Sequence, residues 1–450
     1  VSVTTTMLEC VRNDLHLTPA EFAERIGLTA SDYALVVESG IVDNIPPRVR
    51  RALEGVLLDM EMVNVEAYRG QLARSEFGVF SAVKLHHHLD KVATLQRDPR
   101  AATPITVELH LSNLCGHKCP SCTFGIPARE GGAATASFDV ALLPRLIDDL
   151  KGMGVRAVEI SGGGEPTFNR DAGQFIAELH GAGFDVGLVT NGWFLEKPDV
   201  RHIELRDTIL EHVTWCRISV DAGSQDVYEK THGKASHISF DRLVEGISTL
   251  GRRKLESGSR TTLGISFLVS QQNHLDLIRA VCLFRDVEGL DYFQVKPFAV
   301  APVERATDPD FVFWNRRLFD ALVALEAYAR PGFAIHTAGY KFVDMVVAET
   351  SGLPFKRCHG HPFYPTIGAD GSVMVCCHML NNRLDESGVG VYGRISAETS
   401  FADLWSSERR FEVGSCMDTR LCPVNCKLSE TNKILSGMLG QFPDHGNFIR

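Results

Sequence analysis

Between residues 105 and 298, short apolar runs alternate with stretches whose apolar residues recur at helical spacing. The runs at 105–111, 155–160, 185–190, 216–220, 261–269 and 292–296 read as strands. Between the first two, Leu143, Leu146, Ile147 and Leu150 share one helical face, with Asp139 near the start of that helix. Strands that alternate with helices predict a parallel sheet of the α/β class. Six strands are two short of a closed TIM-type barrel, a fold in which functional side chains gather at the C-terminal strand ends. Farther on, an alternating run from Thr366 to Val375 is broken by Asp370-Gly371, a two-residue hairpin signal. Such a hairpin returns the chain beside its starting point and brings Cys376 back toward Cys358.

Chemistry sits at the ends of these strands. Cys115, Cys119 and Cys122 follow the first strand as CxxxCxxC, with no fourth cysteine nearby. A cluster held by three thiolates has an iron free to bind something else. Structural zinc closes four ligands, and His117 is the other local candidate. Ser161-Gly162-Gly163-Gly164-Glu165-Pro166-Thr167 follows the second strand, without GxGxxG spacing or a GK[ST] triplet. Glycines there let backbone approach a ligand closely, and Glu165 can accept hydrogen bonds from a cationic amine. Thr190-Asn191-Gly192 follows the third strand, and Arg217 to Gly223 runs along and beyond the fourth. Lys296 ends the sixth strand inside the barrel mouth, as a candidate catalytic or substrate-contacting residue or a salt-bridged barrel lysine.

The cysteine triplet and the Gly-Gly-Glu segment, in this order and spacing, resemble the radical S-adenosylmethionine (radical SAM) superfamily. The resemblance implies a partial (β/α)6 TIM-type barrel in which Cys115, Cys119 and Cys122 each bind one iron of a [4Fe-4S] cluster. The amino and carboxylate groups of S-adenosyl-L-methionine would chelate the fourth iron, and its reductive cleavage would give a 5′-deoxyadenosyl radical. Gly162, Gly163, Gly164, Glu165 and Pro166 would bind the cofactor, with Asn191, Arg217, Ser219 and Asp221 at its ribose or carboxylate. The residue before the third cysteine, usually aromatic in the family, is Ser121 here; Phe124 is the nearby substitute. Cys358-x12-Gly371-x4-Cys376 resembles the opening of SPASM and twitch domains, which bind auxiliary iron-sulfur clusters. Cys416-x5-Cys422-x3-Cys426 resembles a later part, although Val413 stands where the full pattern has a cysteine. This implies one auxiliary [4Fe-4S] cluster on Cys358, Cys376, Cys422 and Cys426, with Cys416 competing for a place and a four-cysteine zinc site as the alternative.

Composition adds bounds. A chain of 450 residues that is 44% hydrophobic buries a large core and divides into two or three domains. The expected divisions are a helical region over 1–100, the barrel over 101–300, a helical linker and barrel extension over 301–357, and a small cysteine-rich domain over 358–450. No run approaches the eighteen apolar residues of a membrane span, and Val1 to Thr18 lacks a signal-peptide pattern, so a cytoplasmic protein is expected. Twelve cysteines in a reducing compartment favour metal ligation over disulfides; Cys10, Cys216 and Cys282 stand alone as ordinary core or half-buried residues. A net charge of -10 disfavours nucleic acid as the main partner and suits either a cationic substrate or simple acidic solubility. Leu17 to Thr29 looks like the first helix and turn of a helix-turn-helix, with a second helix expected over Ala30 to Ser39. From Ile26 to Pro47 there is no Lys or Arg, so a packing, dimerisation or lid role is expected rather than DNA reading. His86-His87-His88, before the barrel, reads as a solvated or capping cluster, with metal binding as the alternative.

The layout, with the phrases Val220 to Ser224 and Thr231-His232-Gly233, resembles superfamily members of aminoglycoside biosynthesis, including a diol dehydratase of the apramycin pathway and carbinol dehydrogenases. That implies hydrogen abstraction from a hydroxyl-bearing carbon of an aminoglycoside or amino sugar, with dehydration preferred over dehydrogenation. The expected partners are the amino sugar, an electron donor such as flavodoxin or ferredoxin, and a second copy of the chain, without nucleic acid or membrane. Two other readings stand beside it: a peptide maturase that uses a SPASM-like auxiliary cluster, and an iron-sulfur redox-sensing regulator. A regulator needs neither a barrel nor the Gly-Gly-Glu and Arg-x-Ser-x-Asp segments.

Overall fold

The computed structural model describes residues 12, 18–25, 29–31, 33–34, 81–120, 122, 135–233, 239–298, 316–339, 341–342, 353, 355–380, 390–417, 419, 422–423 and 426–439. The chain divides into two compact units, one of residues 1–74 with 309–324 and the other of 75–308 with 325–450. The described part of the first unit includes the helices Pro19–Arg25 and Arg316–Ala324. Within it, Phe22 and Tyr33 are buried and meet edge to face at 5.6 Å. The end of the expected second helix, 35–39, lies outside the described residues.

The second unit is organised by a ten-stranded sheet. Strands β1 (Thr106–His110), β2 (Ala157–Ser161), β3 (Asp185–Thr190), β4 (Trp215–Ser219), β5 (Thr262–Val269) and β6 (Tyr292–Pro297) lie side by side in chain order. Every neighbouring pair is parallel. These are the six strands expected from the apolar runs, in the α/β architecture of a partial TIM-type barrel. Between them, helices bury one face each. In Leu143–Gly152 the buried residues are Leu143, Leu146 and Leu150, while Asp139 accepts from Ala141 N to start the turn before it. In Phe240–Ser257 the buried stripe is Phe240, Leu243, Ile247 and Leu250.

Both open edges of the six-stranded sheet are extended. β7 (Ala334–Thr337) pairs parallel with β6. β8 (Thr366–Ile367) pairs parallel with β1, forms a hairpin with β9 (Ser372–Met374), and β10 (Val391–Arg394) completes that edge antiparallel to β9. The hairpin turn is where Asp370-Gly371 places it, with Gly371 at φ 86°, a conformation that glycine adopts without Cβ strain. The cysteine-rich segment therefore continues the barrel sheet, since β8 reads its register from β1 (Glu108 opposite Thr366). Residues 82–97 also belong to this unit: Leu85, Val92 and Leu95 pack with Phe363 and Leu435. His86 to His88 end a short 3-10 helix capped by Ser81. Among the described residues no helix is long and apolar enough to cross a membrane.

Candidate active site

A cavity of about 700 Å³ opens at the C-terminal ends of the parallel strands. Its lining includes Cys115, Cys119 and Cys122, the segment Gly162 to Pro166, and Asn191, Arg217, Ser219, Asp221 and Lys296. Residues that lie far apart in sequence thus face one space, as the parallel order dictates. Ser121 and Phe124 lie outside the described residues.

The loops after β1 and β2 are joined by backbone. Gly164 N donates to Ser112 O (3.1 Å) and Glu165 N to Leu114 O (2.7 Å). A Cβ on Gly164 would lie 2.3 Å from Leu114 O, so only glycine permits this approach next to Cys115. Glu165 is buried. Its Oε1 accepts from Thr190 Oγ1 (2.6 Å) and from Thr167 Oγ1 and N (2.8 and 3.2 Å), while Oε2 accepts from Asn191 N (2.8 Å). Burial pushes its carboxyl upward, and these donors partly offset that shift. A carboxylate oxygen has two lone-pair sites, so Oε2 retains capacity for a cationic amine whose charge would relieve the burial cost.

Asn191 also reaches Cys115 Sγ with Nδ2 at 3.5 Å, and its Oδ1 accepts from Trp193 N (2.9 Å). Trp193 and Phe168 pack together at 4.5 Å beneath Gly116, where a Cβ would meet the indole at 3.1 Å. Across the mouth, Asp221 holds a left-handed backbone (φ 53°), uncommon outside glycine and tolerated by Asp. Its Oδ1 accepts from Leu268 N (2.6 Å), and burial pushes its carboxyl upward. Arg217 donates to Gln294 Oε1 (3.1 Å), and its Nε is buried without a hydrogen-bond partner. Lys296 forms no hydrogen bond or ion pair with the described residues, so the salt-bridged alternative does not describe it there.

Behind the cysteine loop lie the buried residues His117, Tyr228 and His232. His232 Nδ1 lies 3.2 Å from Cys119 Sγ and its Nε2 lies 2.8 Å from Val220 O. Because a carbonyl only accepts, Nε2 carries the proton and Nδ1 faces the thiol as an acceptor. Tyr228 OH and His117 Nε2 are 3.1 Å apart, and Lys118 N donates to His232 O (3.0 Å). Burial, helped by His232, pushes the His117 imidazole down to about 3. Ligand atoms of His117, Cys119 and His232 gather within 4.8 Å. In the sequence, Thr231-His232-Gly233 is the local feature that carries this contact.

The second cysteine group lies at the β1 edge, with Cys377 and Cys426 buried, Cys358, Cys376 and Cys422 half-buried, and Cys416 exposed. Burial and the nearby thiols of Cys377, Cys426, Cys358 and Cys422 push the Cys376 thiol well up. Burial and Cys358 push Cys426 up to about 11. Crowded thiols whose ionisation is disfavoured are the donor set that a metal centre stabilises in the thiolate form. Tetrahedral zinc would draw its sulfurs to within about 4 Å of one another; these four are not gathered within 4.8 Å. Asn432 Nδ2 reaches Cys358 Sγ (3.5 Å), and Leu428 N donates to Cys426 Sγ (3.2 Å). Cys416 is exposed at the end of the helix Glu408–Ser415, with Ser415 Oγ at 3.9 Å. The segment holding Cys377, His378, Lys427 and Leu428 lines the same cavity as the first three cysteines. Behind it Lys427 pairs with Glu108 and lies 3.8 Å from Glu159, while His110 bonds Glu108 (3.0 Å).

Comparison with known proteins agrees with this geometry. Residues 109–278 match the Radical SAM superfamily. The probable GTP 3′,8-cyclase of Saccharolobus solfataricus is 26% identical over 182 residues, 40% of this chain and 53% of that protein, so the chain spans about half the length of such curated relatives. The PqqA peptide cyclase of Rhodopseudomonas palustris is 28% identical over 321 residues, 68% of this chain and 75% of that protein. In fold, Streptococcus suis SuiB bound to precursor peptide SuiA aligns with TM-score 0.51 at 16% identity, covering 80% of this chain and 78% of that one. SuiB bound to S-adenosylmethionine aligns at 0.50 with 16% identity, covering 77% and 74%. The donors fit the superfamily's cofactors, a [4Fe-4S] cluster and S-adenosylmethionine: three thiols on one loop, a glycine cradle, and a buried carboxylate with capacity to spare. By its barrel, its cavity and the 109–278 match, this part of the chain is similar to the Radical SAM superfamily.

Proposed function

We propose that the chain abstracts hydrogen from a peptide and oxidises it, with the C-terminal cysteine group as a second redox site. The observation that carries this reading is the single cavity lined at one side by Cys115, Cys119 and Cys122 and at the other by the segments flanking Cys376 and Cys426. Support for a peptide comes from the match to a peptide cyclase, which extends over more of the chain than the barrel segment. When bound, S-adenosylmethionine and the first cluster supply a 5′-deoxyadenosyl radical, and an auxiliary cluster supplies a place for an electron.

The residues divide the remaining work. Cys115, Cys119 and Cys122 hold three irons, and Glu165 Oε2 receives the cofactor's amine. Asn191, Ser219, Arg217 and Asp221 surround its ribose and carboxylate, and Gly162 to Pro166 give backbone access. Cys358, Cys376, Cys422 and Cys426 hold the auxiliary cluster; Cys416, exposed and beside Ser415, stays outside it. The buried Glu108-Lys427-His110 group ties the C-terminal segment to β1.

An aminoglycoside or amino-sugar dehydratase is the second reading, favoured by the Val220 to Ser224 and Thr231 to Gly233 phrases. Anaerobic mass spectrometry of the iron-reconstituted protein with S-adenosylmethionine and reductant separates the two. Cysteine-containing peptides and pseudodisaccharide aminoglycosides are offered in parallel. 5′-Deoxyadenosine with a peptide product lighter by two hydrogens is expected. An aminoglycoside product lighter by water favours the dehydratase, and absence of deoxyadenosine from protein with full clusters sinks both.

A further inference from the structure

Ser266 on β5 and Gln294 on β6 stand opposite each other in the parallel register, and both line the cavity. They are 1% and 6% exposed. Among the described residues, neither Ser266 Oγ nor Gln294 Nε2 makes a hydrogen bond. Native proteins seldom bury such groups unsatisfied, because each one forfeits its bonds to water.

The strands themselves set this up. Side chains alternate along a strand, so Arg217, Ser266 and Gln294 share the inner face with Trp215 and Tyr292. Gly187 and Gly264 stand opposite Trp215 and Tyr292, and a Cβ at either position would overlap the facing ring. The two rings thus take the space that side chains at 187 and 264 would fill. Arg217, whose guanidinium lies 5.4 Å from the Trp215 ring, reaches across β5 at Gly264 and donates from Nη1 to Gln294 Oε1 (3.1 Å). A guanidinium only donates, so the amide atom that faces it is the oxygen, and Nε2 is turned away from Arg217 as a donor.

Neighbouring strands lie about 4.8 Å apart, so this donor and a hydroxyl that can accept stand side by side within reach of one planar amide. Resting on the peptide reading above, we propose that Gln294 and Ser266 form a subsite for an amide group of the substrate. Gln294 Nε2 donates to its carbonyl oxygen, and Ser266 Oγ accepts from its N–H. The peptide main chain and an Asn or Gln side chain both offer this group.

The test uses the full-length protein with both clusters and S-adenosylmethionine bound, and reads Kd by ligand-observed NMR. The probes are N-acetylalanine methylamide for main-chain amides, butyramide for side-chain amides, and methyl butyrate and butyrate, which keep the carbonyl but lack the N–H. At least one amide should bind tighter than both of the latter, and the tighter amide tells main chain from side chain. Gln294→Glu keeps an acceptor for Arg217 but replaces the donor. It should weaken the preferred amide about tenfold or more, because a site built around a hydrogen bond rejects the mismatch. Ser266→Ala should erase the preference for that amide over methyl butyrate. Unchanged iron content and S-adenosylmethionine affinity in both variants show that the fold is intact. In the unaltered protein, amides that bind no tighter than methyl butyrate overturn the proposal without any variant, and butyrate binding tighter than either amide does the same. An unchanged amide Kd in Gln294→Glu, or an undiminished preference in Ser266→Ala, also overturns it. A matching loss of S-adenosylmethionine affinity in Gln294→Glu assigns the pair to the cofactor and overturns it too. Because no turnover is required, amide binding that responds to both substitutions beside failed peptide turnover sinks the peptide reading alone. Peptide turnover with the amide Kd unmoved sinks the subsite alone.

Discussion

One cysteine group lines the cavity, the other sits beside segments that line it, and the two are built in opposite ways. Cys115, Cys119 and Cys122 come from eight consecutive residues after β1, and Cys115 is exposed. Their loop is held by backbone hydrogen bonds to the β2 loop and to His232. Cys358, Cys376, Cys422 and Cys426 come from separate segments, and the Cys376 and Cys426 thiols are pushed up by burial and by one another. The contrast separates an open loop that can present an iron to a cofactor from an enclosed set whose thiols need a metal to carry charge. It also explains why the first group belongs to a local motif and the second to a tertiary one.

The comparison breaks most readily at its open side. Cys119→Ala should lower deoxyadenosine formation by about a thousandfold or more, because a three-cysteine site has no spare ligand; cleavage near the wild-type rate would remove the cluster from this loop. At the enclosed side, Cys376→Ala should lower bound iron by about four atoms per chain, one [4Fe-4S] complement. It should also abolish product formation while part of the deoxyadenosine formation persists. If both activities fall together, the two groups are one functional unit.

Smaller effects sharpen the cradle between them. Gly164→Ala forces a Cβ to within 2.3 Å of a carbonyl oxygen. The β1 and β2 loops must part, and S-adenosylmethionine affinity should fall about tenfold, given a typical overpacking cost of about 1–3 kcal/mol. Equilibrium binding checks it. Glu165 has its carboxyl raised by burial, so lowering pH protonates it sooner than an exposed glutamate. Binding of the cofactor amine needs the ionised form; affinity should therefore be full above that raised value and decline as pH falls through it. Glu165→Gln should bind weakly with this dependence removed. The smallest change is Tyr228→Phe, which leaves His117 Nε2 without its hydroxyl and should cost about 1 kcal/mol of stability, read as a lower Tm with cleavage retained.

Much of the barrel was legible because each strand and helix advertises its buried face through spacing alone. All six expected strands of residues 105–298 formed, and the Asp370-Gly371 signal marked a real hairpin. β7, only four residues long with three half-buried, carries too little pattern to announce itself. Lys296 showed its strand but not its company: Arg217 and Lys341, the neighbours that disfavour its charge, come from β4 and from beyond β7. His117, Tyr228 and His232 were unreadable for the same reason. Their contacts join residues over a hundred positions apart, and no periodicity records that.

By itself, the sequence determined the parallel strands, the cysteine triplet and the glycine-rich loop, since local spacing and backbone sterics act within a few residues. The tertiary structure decided that a short hairpin extends β1, that residues beside the second cysteine group line the barrel's cavity, and that Lys296, Arg217 and Lys341 line it together. These depend on Coulomb interactions and burial between distant segments, whose strength is set by distances that exist only once the sheet has closed around them.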